Sequence, residues 1–186
     1  MSALEIEVKI RFADAGAARS AITAAGGIET RGRHFEDNRV YDTPGSDLRD
    51  RGALLRVRET SDGGGVVTFK EKVESDLRAK VRREYEAEVR PAATFGEILQ
   101  KAGFVPTYHY QKYRTVFRLD GAVIDLDETP MGCFVEIEAA ASLIESVAKR
   151  LGARAEEFIV DDYRTIYHAW LADRGRPPSD MVFQDT

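Results

Sequence analysis

The chain has 186 residues, 43% of them hydrophobic, and a formal net charge of −5 from 27 Lys and Arg against 32 Asp and Glu. This suits one domain over residues 1–186, with its core at about 4–172 and an extension at 173–186. The acidic balance excludes nucleic-acid binding through overall charge, the lone Cys133 excludes an internal disulfide, and no apolar run approaches the roughly 20 residues of a membrane span. With no basic-then-apolar leader either, the expectation is a cytoplasmic protein, monomeric or homodimeric, with neither membrane nor nucleic acid as partner.

Taken in chain order, the first element is a strand over Glu5–Phe12, in which Leu4, Ile6, Val8 and Ile10 alternate with Glu5, Glu7 and Lys9. A helix follows from Asp14 to Ala25, where Gly26-Gly27 supplies a stop. Strands are expected over Arg33–Asp42, Ala53–Glu59, Gly65–Lys72 and Lys80–Val89, all bounded by turn residues. The pattern Thr94-Phe95-Gly96-Glu97 reads as a capping box opening a helix that ends near Gly103. Tyr108–Leu119 and Ala122–Asp127 form a hairpin across Asp120-Gly121, and Gly132–Ala139 is the eighth strand. A second capping box, Ser142-Leu143-Ile144-Glu145, opens a helix ending at Gly152. The last helix starts at Asp161 or Asp162, with Tyr163, Ile166, Tyr167, Trp170 and Leu171 on helical spacing. About eight short strands on tight turns with four helices predict an α+β fold: an antiparallel β-barrel with helices packed on its outside and room for a polar lumen.

Strand parity shows what that lumen contains. Side chains two apart share a face, so Arg56 pairs with Arg58, Lys70 with Lys72, Lys112 with Arg114 and Arg118, Asp125 with Asp127, and Glu136 with Glu138. Lys80, Arg82, Glu84 and Glu86 also run in phase. Any one of these strands alone suits the solvated face of an ordinary sheet. Together they hold almost only Lys, Arg, Asp and Glu, where a solvated face mixes in Ser, Thr, Asn and Gln. Enclosing so many charges costs several kcal/mol per ion unless partners or a ligand neutralise them. Converging Arg and Lys suit phosphate oxygens, and carboxylates among them are explained by a hard divalent cation, Mg²⁺ or Mn²⁺. The metal-ligand candidates are Glu5, Glu7, Asp125, Asp127, Glu136 and Glu138.

Several segments resemble the CYTH domain, also called the triphosphate tunnel metalloenzyme family. Its hallmark E-x-E-x-K stands here as Glu5-Ile6-Glu7-Val8-Lys9. Further family-like segments follow in order: Tyr41-Asp42-Thr43-Pro44, Leu54 to Arg58, Thr68-Phe69-Lys70, Arg82 to Glu86, Asp127 to Glu138, and Tyr163-Arg164. The resemblance implies an eight-stranded tunnel that binds a linear triphosphate with divalent metal and hydrolyses or cyclises it. It implies metal-side acids at Glu5, Glu7, Asp127, Glu136 and Glu138. It also implies a triphosphate cradle of Lys9, Arg56, Arg58, Lys70, Arg82, Lys112 and Arg114. Lys72 and Arg118 join the substrate-binding set on parity alone. A Lys-Ser-Tyr found near the last helix in family members is replaced by Asp161-Asp162-Tyr163, which removes one phosphate contact.

The reading that follows is a metal-dependent triphosphatase acting on inorganic triphosphate or a simple organic triphosphate. In it Glu5 and Glu7 are catalytic through metal, and Lys112 or a carboxylate assists deprotonation of water. The alternatives are a class IV-type adenylyl cyclase, a thiamine triphosphatase with Phe35, Tyr41 or Tyr110 as stacking surface, and a non-catalytic polyphosphate or nucleotide sensor. His34, His109 and His168 lack metal spacing, and Cys133 lacks the companions of a nucleophile. The tail after Arg174 is read as an extended segment that either crosses a dimer interface or lies over a tunnel mouth.

Overall fold

A computed structural model describes residues 2–60 and 63–184. Eight strands close on themselves: β1 (Ser2–Phe12), β2 (Ile28–Asp42), β3 (Leu54–Glu59), β4 (Gly65–Lys72), β5 (Lys80–Val89), β6 (Val105–Leu119), β7 (Ala122–Thr129) and β8 (Gly132–Glu138). Their order around the barrel is β1-β5-β4-β3-β2-β6-β7-β8, and every pairing is antiparallel. The outside carries α1 (Ala15–Ala24), α2 (Asp47–Asp50), α3 (Ala92–Lys101), α4 (Ala141–Arg150) and α5 (Tyr163–Ala172). Among the described residues no helix is long and apolar enough to cross a membrane.

The apolar faces of the strands point outward, onto the helices. Val8, Ile10, Ile124, Leu126, Val135 and Ile137 are buried beneath Ile22 of α1 and Ile144, Val147 and Ala148 of α4. Tyr41, Leu48, Leu55, Val57 and Ala92 form a second cluster under α2 and α3. Tyr108, Tyr110 and Phe134 form a third with Tyr163, Tyr167 and Leu171 of α5. In the first two clusters the alternate residues face the lumen and the core is a sleeve around the barrel, whereas Tyr108 and Tyr110 share the phase of Lys112, and Phe134 that of Glu136, so the third cluster borders the lumen itself.

Local signals decide some boundaries and packing decides others. Asp14 and Asp162 cap α1 and α5, accepting from the N–H groups of Ala17 and Thr165. Asp120 and Gly121 both take positive φ in the β6–β7 hairpin, as a two-residue turn requires. The two expected capping boxes do not form. α3 begins earlier, after Pro91, and α4 begins after Ala140, in both cases without a side-chain cap. Burial of Ala92 against β3 and of Ile144, Val147 and Ala148 against the barrel fixes those starts instead. β2 and β6 are longer than the pattern suggested, each 15 residues. β6 accommodates Pro106 where its register with β2 shifts, a position that needs no donor.

The tail lies along β6 beyond the reach of β7. Met181 donates to His109 O at 3.0 Å and accepts from Gln111 N at 2.8 Å, and its side chain is fully buried against the α5 cluster. It thus belongs to the cluster that α5 makes with β6. Its ninth-strand position was not legible from a segment containing Pro177-Pro178.

Candidate active site

Inside the barrel is a cavity of about 470 Å³ lined by cations and carboxylates in near-equal number. β1 supplies Glu5, Glu7 and Lys9, because Val8 and Ile10 are committed to the sleeve. Lys70 on β4 reaches across to both Glu5 oxygens at 2.7 Å and lies 3.1 Å from Glu84. Lys9, 2% exposed, bridges Glu7 at 2.5 Å and Glu136 at 3.1 Å. Arg114 forks to Asp125 at 2.5 Å and to Asp127 and Glu136, each at 2.6 Å. On the opposite wall Arg58 meets buried Glu36 at 2.9 Å, and Arg56 donates to Tyr110 Oη at 3.1 Å and Thr68 Oγ1 at 3.0 Å.

Residues 3–157 match the CYTH domain. The chain belongs to the CYTH domain family. Comparison with curated protein sequences gives no match. Among solved structures, a candidate adenylate cyclase of Vibrio parahaemolyticus is 18% identical with a TM-score of 0.75, covering 88% of this chain and 97% of that one. PH1012 protein of Pyrococcus horikoshii is 25% identical with a TM-score of 0.73, covering 86% and 96%. A Hippeastrum protein, HpAC1, whose structure is described as revealing a dominant triphosphatase activity, is 20% identical with a TM-score of 0.60, covering 92% and 96%.

The electrostatics of this CYTH barrel are uneven. Burial works against charge on Glu7, yet Lys9 beside it pulls the carboxyl down to about 2. Glu136 is also buried and is held well below the carboxylate range by Lys9, Lys112 and Arg114. Lys9 in turn keeps its proton despite burial, because Glu136 and Glu7 face it. Other groups are under-compensated. Burial, with Asp127 and Glu136 nearby, pushes Asp125 up to about 6 against the pull of Arg114, and burial raises Glu5 against the pull of Lys70. Burial and the neighbouring Lys9 bring Lys80 down to about 8.

The donor set fits a hard divalent cation. Asp125 Oδ1 is buried without a hydrogen-bond partner, and Glu5, Asp125 and Glu138 are all raised, first by burial and then by neighbouring carboxylates. Among the described residues no three acidic, His or Cys side chains are already gathered as a ready site. The acids stand on neighbouring strands, most of them tied to Lys or Arg, so they could supply only part of a cation's coordination and further oxygen ligands would have to complete it.

Of the expected site residues, Glu5, Glu7, Lys9, Arg56, Arg58, Lys70, Arg82, Lys112, Arg114, Asp125, Glu136 and Glu138 all line this one cavity. Asp127 does not. It is fully buried behind the wall, its oxygens taken by Lys112 at 2.7 Å, Arg114 and the Tyr163 hydroxyl at 2.7 Å. Lys72 and Arg118 also fall outside the cavity. Lys72 pairs with Glu74 in solvent, and Arg118 is exposed near the end of β6, because strand parity runs on past the barrel rim. Lys112 is held protonated, against burial and the neighbouring Arg114, by Asp127, Glu136 and Glu36, which suits a phosphate-binding cation better than a base.

Glu36 is the residue that sequence reasoning missed most plainly. It is 1% exposed between Arg58 and Lys112. Its signal was the phase His34, Glu36, Asn38 within β2, polar where the neighbouring strand is cationic. Tyr163, placed in the sequence on the last helix's spacing and in the family-like Tyr163-Arg164 without a site role, reaches Asp127 with its hydroxyl, and its ring lies 5.3 Å from the Lys9 Nζ and 5.2 Å from the Lys112 Nζ.

Proposed function

We propose that the chain is a metal-dependent hydrolase of a triphosphate held within the barrel. The observation that supports it is a closed lumen in which Lys and Arg from β1, β3, β4, β5 and β6 face a surplus of carboxylate on β1, β7 and β8. A linear triphosphate matches the cations, and Mg²⁺ or Mn²⁺ matches the surplus. When bound, the metal supplies charge neutralisation on the phosphate oxygens. Glu5, Glu7, Glu136, Glu138 and Asp125 would hold it.

Phosphoryl transfer demands positioning and charge more than covalent chemistry. Lys9, Arg56, Arg58, Lys70, Arg82, Lys112 and Arg114 fix the phosphate oxygens from several directions and so align the terminal phosphorus with an in-line water. Lys112 is held protonated, so that water's proton passes to a carboxylate of the lumen. The activity attributed to HpAC1 points the same way.

Purified protein with Mg²⁺ or Mn²⁺ is expected to release phosphate from at least one of tripolyphosphate, ATP, GTP and thiamine triphosphate. Glu5→Gln, which leaves Lys70 its second partner Glu84, should lower that rate about a hundredfold or more with an unchanged circular-dichroism spectrum. Cyclic AMP and pyrophosphate as the products would establish the cyclase reading instead.

A further inference from the structure

The helices around the barrel leave the outer face of β5 bare and that of β4 half-covered. α1 and α4 pack on β1, β7 and β8, α2 and α3 on β2, β3 and β6, and α5 against Tyr108 and Tyr110 of β6. On β5 the lumen takes Lys80, Arg82, Glu84 and Glu86, so the residues between them point outward, and Arg83, Tyr85 and Ala87 are exposed. Tyr85 is 41% exposed, and Leu4 beside Arg83 on β1 is 60% exposed. The outward residues of β4, Val67, Phe69 and Glu71, are half-buried.

The register of the two strands sets this face in rows. Val67 lies opposite Ala87, Phe69 opposite Tyr85 and Glu71 opposite Arg83. The first row is apolar. The second is aromatic, with ring centroids 6.4 Å apart, and the third carries one charge of each sign. Opposite charges facing each other across two strands ordinarily attract. Glu71 and Arg83 nevertheless form no ion pair with each other or with any other described residue.

Rows of this kind are self-complementary. A two-fold axis lying in the plane of contact, between β4 and β5 and parallel to them, exchanges the two members of every row. It sets Val67 against Ala87 of a second copy, Phe69 against Tyr85, and Glu71 against Arg83, each contact occurring twice. The two sheets then meet face to face with their strands aligned, as the halves of a β-sandwich do. Aromatic surface leaves water, and no charge faces its like.

We propose that the outer face of β4 and β5 docks a second copy of this chain, forming a two-fold dimer in which Glu71 pairs with Arg83 across the interface. The test is sedimentation equilibrium from micromolar to submillimolar protein, on wild type, Arg83→Glu, Glu71→Arg and an equimolar mixture of the two variants. Wild type is expected to move from the monomer mass to twice that mass as concentration rises. Each variant alone should weaken the dimer by at least about tenfold, because a like-charge contact replaces an ion pair in two places. The mixture should regain the wild-type association, since the unchanged Glu71 of one chain meets the unchanged Arg83 of the other and the two substituted side chains meet each other. The like-charge pair within each variant chain persists in the mixture, so recovery reports contact between chains. A wild type that stays monomeric overturns the proposal, as do variants that dimerise like wild type or a mixture no better than its components. Circular dichroism checks that the variants fold. Should one not fold, Tyr85→Ala at its exposed position takes its place, and a dimer that this substitution leaves as tight as wild type overturns the proposal.

Discussion

Lys9 shows how single charges are tolerated in this barrel. An ammonium 2% exposed is stable only because Glu7 and Glu136 stand against it, and both carboxylates stay ionised for the same reason. Lys9→Met would leave two buried carboxylates facing each other across an apolar chain. The expected cost is about 3–5 kcal/mol in urea unfolding, against less than about 1 kcal/mol for a surface lysine. Asp125 is the opposite case. Its carboxyl is raised from 3.8 to about 6, first by burial, so its ionisation opposes folding and stability is lost as pH rises through that interval. Asp125→Asn removes the proton equilibrium. Without added metal, its melting temperature relative to wild type should climb from about pH 4 to about pH 6 and then level off. A constant difference across that range would show that Asp125 titrates normally.

At the scale of elements, α5 and the tail complete a wall that the strands leave open. β6 is 15 residues long and β7 only 8, so the first half of β6 has an edge that β7 cannot cover. Met181 fills it through two backbone hydrogen bonds and a fully buried side chain, and Ser179 O lies 3.3 Å from His168 Nε2. Met181→Ala should therefore cost about 2–5 kcal/mol, read from thermal or urea unfolding. Truncation after Arg176 should lower stability further and expose Tyr108 and Tyr167 to solvent. This part of the fold was hidden in the sequence, because pairing through one residue leaves no alternation to read. The strands were legible for the contrary reason: in Glu5, Glu7, Lys9 and in Arg56, Arg58 the charged phase is unbroken and Val8 and Val57 mark the other face. The cavity wall could be assembled from that phase alone. Parity could not say where the barrel ends, which is why Lys72 and Arg118 seemed equivalent to Lys70 and Arg114. Nor could it show that Asp127 is consumed by Lys112, Arg114 and Tyr163, a contact brought about by α5.

Across the whole molecule the lumen is a set of ion pairs awaiting exchange. Along β1 and β5 the charge changes sign in the same spatial direction, from Lys9 to Glu7 and Glu5 on β1 and from Lys80 and Arg82 to Glu84 and Glu86 on β5, since the two strands run antiparallel. Without ligand these groups neutralise one another, as Lys70 does Glu5 and Lys9 does Glu7. A triphosphate that recruits the lysines releases the carboxylates, and the carboxylates then attract the divalent ion. Each ligand should thus tighten the other's binding. Either ligand alone stabilises only by its own mass action, about 2.7 kcal/mol at a hundredfold excess over its Kd. Together, tripolyphosphate and Mg²⁺ should raise the melting temperature by more than the sum of their separate shifts, once the complex they form in solution is allowed for. Glu5→Gln, which removes a released carboxylate, should shrink the excess while the shift from tripolyphosphate alone persists. Strictly additive shifts in the wild type would mean that the ion pairs stay closed when the anion binds, and that the metal is held by acids that were never paired.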